Sequence, residues 1–147
     1  MSPIESAVTS IKFVERMLLG LIFVALMVHY FFHYQGTFFI QIFAIGLAVL
    51  YFPFGFYAIG KPSEKYSNTI SVILGLVYAL GVLSLLISAA NLGSYRYPLI
   101  ADFFVLLAVV IYLMFKMRAA EYPKNYINAQ FIRIGFIVLC GLIILLK

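Results

Sequence analysis

The chain has 147 residues, of which 65% are hydrophobic and 10% charged, with a formal net charge of +5. Soluble domains carry about 25% charged residues, so this composition argues against a water-soluble globule and for apolar runs buried in a bilayer. One cysteine, Cys140, excludes an intrachain disulfide, and no basic run suited to a phosphate backbone is present, which argues against nucleic acid as a partner.

Ser2-Pro3-Ile4-Glu5 reads as a helix start, with Ser2 as the cap, Pro3 at the first helical position and Glu5 closing a capping box. Ile4, Val8, Ile11, Met17 and Leu18 then recur at roughly helical spacing among polar residues. This predicts a short N-terminal amphipathic segment, either lying in the interface or extending the first span. The first span is expected over 13–34, closed by Gln35-Gly36 with glycine in a left-handed cap. So short a turn makes the second span, 37–59, run back antiparallel. Pro53 removes one backbone donor inside it, so a kink is expected near 49–53. Gly60 and Pro62 stop that span, 61–68 is a polar loop, and Asn68 is a candidate cap for the next helix.

The third span, 69–90, is uncharged and long enough as a helix to cross a hydrocarbon core of roughly 30 Å. Ser71, Gly75 and Ala79 recur every four residues on one face, a shallow stripe suited to close helix packing, inside the bundle or against a second copy. Asn91-Leu92-Gly93-Ser94 ends this span, and Pro98 opens the fourth, 98–115. The connection at 116–128 is the longest and most charged. The fifth span, 129–146, carries Gln130 and Arg133 in its first turns, where the long arginine stem can reach headgroups.

These segments predict a single all-α domain, a polytopic membrane bundle of five transmembrane helices. Lys12, Arg16, Lys61, Lys65, Lys116, Arg118, Lys124 and Arg133 then fall on one side, and Arg96 and Lys147 on the other. Positive residues stay inside, which places the N-terminus in the cytoplasm and the chain in a plasma or bacterial inner membrane.

His29 and His33 sit four apart, which on a helix puts both on one face near the outer end of the first span. Asp102 is expected at similar depth, and two imidazoles with a carboxylate could hold a divalent metal. The simpler reading makes the histidines headgroup contacts and lets Asp102 pair with Arg96. On the inner side, Glu15–Arg133 or Glu121–Arg133 would neutralise a shallow charge, although solvent contact for each is the simpler expectation. Tyr51, Tyr78 and Tyr112 fall inside spans, and each phenol needs a partner there. Cys140 reads as a packing residue, since no base stands at its expected depth. There is no phosphate-cradling loop and no hydrolytic triad. The expected role is therefore a non-catalytic subunit, scaffold or homo-oligomer, with the bilayer and other membrane chains as partners. A small channel or transporter using His29, His33 and Asp102 is the alternative, and a metal-dependent membrane enzyme at that place the next.

Overall fold

A computed structural model describes residues 3–33, 37–66, 68–90 and 96–146, with side chains from residue 6 onward. All regular structure in these residues is helical: α1 (Pro3–Phe31), α2 (Phe38–Tyr51), α3 (Gly55–Ala58), α4 (Thr69–Ala89), α5 (Arg96–Arg118) and α6 (Lys124–Leu145). The Ser2 cap, the Glu5 side chain, the Gln35-Gly36 stop and the 91–94 stop lie outside the described residues.

Among the described residues, three helices, α4, α5 and α6, are long and apolar enough to cross a membrane. At about 1.5 Å per residue they measure about 32 to 35 Å, against a hydrocarbon core of roughly 30 Å. α2 has 14 residues and reaches only about 21 Å. The break falls at Pro53, which cannot donate to the helix, while the ring disfavours helical geometry at the residue before it. Phe52 is accordingly extended (φ −143°, ψ 121°). The expected kink is thus a full interruption, and the chain resumes as the single turn of α3.

α1 is one continuous helix from Pro3, so the polar N-terminal segment extends it rather than forming a separate element. α5 begins two residues before Pro98, and α6 begins at Lys124, five residues ahead of its expected start. That earlier start moves Gln130 and Arg133 off the end of the helix and into its second and third turns. Asn68 stands at the N-cap of α4, but its side chain makes no capping bond.

α4 is the centre, packed against every other helix but α1. Its small residues allow this. A Cβ on Gly75 would lie 2.3 Å from the Tyr51 carbonyl oxygen and 3.1 Å from the Gly55 Cα, so only glycine permits that crossing. Ser71 is fully buried and its hydroxyl donates to the Gly60 carbonyl. Gly60 has a positive φ of 73°, which turns the chain out of α3 toward Lys61. The Ser71–Gly75–Ala79 stripe is therefore covered from within the chain, by the broken second segment.

A buried charge clamp beside a basic pocket

Glu15 on α1 and Arg133 on α6 are 4% and 7% exposed and face each other across the bundle. Arg133 Nε donates to Glu15 Oε1 at 2.5 Å, and Nη2 donates to Oε2 at 2.8 Å, a two-pronged pair. Nη2 also donates to the Ala58 carbonyl at 3.0 Å, at the end of α3, and Nη1 reaches Gln130 Oε1 at 3.3 Å. The Tyr51 hydroxyl donates to Glu15 Oε1 at 2.8 Å, and the Tyr78 hydroxyl donates to Gln130 Oε1 at 3.1 Å. The two tyrosine rings meet edge to face with centroids 5.6 Å apart.

One constellation thus ties α1, α2, α3, α4 and α6 together. The solvent contact that was the simpler expectation for Glu15 and Arg133 gives way to a buried pair, because the early start of α6 carries Arg133 below the bundle's end. Gln130 is fully buried, and its Nε2 has no partner among the described residues. The carbonyl of Ala58 is available to Arg133 because α3 stops after one turn, leaving its last carbonyls without helical partners.

Beside this clamp lies a cavity of about 360 Å³, lined by Lys12, Glu15, Arg16 and Leu19 of α1, by Ala58 to Lys61, and by Asn125, Tyr126, Ala129, Ile132 and Arg133 of α6. Lys12, Arg16 and Lys61 are exposed at its rim.

Glu121 sits elsewhere at the basic end. Lys116 Nζ is 2.5 Å from its Oε2, and the Tyr66 hydroxyl donates to the same oxygen at 3.1 Å. Lys116 first, then Tyr66, hold the Glu121 carboxyl below the ordinary range of its kind. Lys116 also stands 5.8 Å from the ring centres of Tyr112 and Tyr122, whose hydroxyls are 2.7 Å apart. Glu121 is thus engaged with α5 and the 61–66 loop, and Arg133 with Glu15.

The trio of His29, His33 and Asp102 does not assemble. α1 ends at Phe31, so His33 lies beyond the helix with φ 53°, and the four-residue spacing no longer puts it on a face with His29. His29 packs edge to face on Tyr30 at 4.7 Å. Asp102 is on α5, which does not pack against α1. It is 7% exposed and turned toward α4, its oxygens 3.0 and 3.3 Å from where a Cβ on Gly81 would stand. Its Oδ2 has no hydrogen-bond partner among the described residues. Arg96 is the exposed first residue of the same helix. No group of three His, Cys, Asp or Glu side chains able to hold a metal occurs among the described residues.

Cys140 is free and fully buried. No family model, curated protein or solved structure matches the chain.

Proposed function

We propose that this chain is a small multipass membrane protein that works through helix packing, as a non-catalytic subunit, scaffold or homo-oligomer. The observation that carries the reading is the closed clamp. Glu15 directs both oxygens to Arg133 and Tyr51, and Arg133 spends its donors on Glu15, Ala58 and Gln130. Charged groups engaged in this way brace a scaffold. α5 meanwhile turns large side chains outward, with Phe104 69% and Phe115 67% exposed. Such a face suits lipid or a neighbouring helix.

In this reading α1, α2 with α3, α4, α5 and α6 make five crossings of a plasma or inner membrane, with the basic end in the cytoplasm. Mild detergent extraction followed by native mass measurement tests the role: a defined oligomer or a stoichiometric partner is expected, and a bare monomer overturns it. Reporter fusions at the two ends test the topology separately. Ends on opposite faces are expected, and ends on one face overturn the five crossings.

A further inference from the structure

The geometry points to the cavity beside the clamp as a binding site for the phosphate of an anionic phospholipid. Three observations converge on it. Arg133 and Glu15 cancel each other at the floor, so Lys12, Arg16 and Lys61 leave a surplus of three positive charges at the rim. Lys12 and Arg16 stand four apart on α1, where like charges repel. Glu15 lies three residues from Lys12 but is turned inward to Arg133, so it does not neutralise them. The fold thus holds two like charges side by side facing a cavity, and a phosphate between them would relieve the repulsion.

The remaining wall is amphiphilic. Asn125 brings a polar group from the first turn of α6, while Leu19 and Ile132 supply apolar surface, Ile132 being 69% exposed. Lipid tails fit that mixture better than free phosphate does. Basic pockets between helices at the cytoplasmic side are where anionic headgroups bind. The site does not depend on the scaffold role, since an isolated monomer would carry it intact.

The test uses the full chain in neutral detergent, titrated with phosphatidylglycerol, phosphatidylcholine and inorganic phosphate, with bound ligand read by native mass measurement. One stoichiometric phosphatidylglycerol is expected. Each cation near an anionic lipid surface is worth roughly fivefold in binding, so Lys12→Ala, Arg16→Ala and Lys61→Ala together should weaken it by about 100-fold. Removing an equal charge outside the pocket, by Lys65→Ala, Arg118→Ala and Lys124→Ala, should leave it within about fivefold. Protection of Cys140 from maleimide checks that each variant is folded. Equal binding of phosphatidylcholine, or equal losses in the two triple variants, overturns the site. Saturation by inorganic phosphate at the lipid's own affinity overturns the assignment to a lipid.

Discussion

Arg133→Ala removes one half of a pair whose other half stays buried. Four donated hydrogen bonds are lost: two to Glu15, one to the Ala58 carbonyl and one to Gln130. If each behaved as an average interhelical bond in a membrane, at about 0.6 kcal/mol, the loss would be about 2.4 kcal/mol. Leaving a buried carboxylate without its cation raises this toward about 3–5 kcal/mol, because Glu15 keeps only the Tyr51 hydroxyl. Tyr51→Phe, which takes away one neutral donor, should cost about 1 kcal/mol. Glu15→Leu with Arg133→Leu removes both charges and should recover most of the loss, since apolar side chains can replace a buried pair at little cost. Cys140 gives the readout: as the single thiol, fully buried in α6, it reacts with maleimide only when the bundle opens. Labelling across a denaturant titration in micelles yields each difference. A loss below about 1 kcal/mol for Arg133→Ala would refute the clamp, being no more than an ordinary surface substitution. So would a double variant as unstable as Glu15→Leu and Arg133→Leu added together, since uncoupled residues add.

Gly75→Ala should be strongly destabilising, because its Cβ would meet the Tyr51 carbonyl at 2.3 Å and backbone cannot give way as a side chain can. Gly135→Ala, with nothing within 4 Å, should instead gain about 0.5–1 kcal/mol from helix propensity; the same thiol titration compares them, and equal effects would dismiss the close crossing. For Glu121, whose carboxyl is held low by Lys116, the contribution to docking the 119–123 connection is present above the ordinary carboxylate range and lost as pH falls through the lowered value. Lys116→Met should raise the Glu121 titration toward the ordinary range; carboxylate NMR that finds no change would show that the pair does not form in solution.

The third segment was fully legible as a helix, since an uncharged apolar run of bilayer length has one favourable conformation in lipid. So was the stripe of Ser71, Gly75 and Ala79, though its occupant was not: the Tyr51 carbonyl reaches Gly75 only because Pro53 severs the second segment. Proline signals a weak point in sequence, but whether the helix bends or stops depends on what packs beside it. Glu15 and Arg133 were recognisable as candidates for pairing, yet their burial was not. Depth depends on where α6 begins, and Asn125 and Tyr126 in a charged stretch gave no sign that the helix already included them. The trio of His29, His33 and Asp102 failed for a related reason. Equal depth along an axis does not make neighbours, and α1 and α5 lie on different flanks of the bundle.

One turn of α1 divides its charges between two tasks. Glu15 points inward to hold α6, while Lys12 and Arg16 point to the pocket. Stability and anion binding should therefore respond in opposite directions to the loss of the carboxylate. Glu15→Gln keeps the shape and much of the hydrogen bonding but leaves Arg133 without its counter-charge. The fold should weaken, because a buried guanidinium is left unneutralised. The pocket floor should change from neutral to positive, adding about one cation's worth of attraction, or roughly fivefold tighter binding of phosphatidylglycerol. A variant that loses both stability and binding would mean that the clamp shapes the pocket without setting its charge. A variant that loses neither would mean that Glu15 is not paired with Arg133 in the membrane.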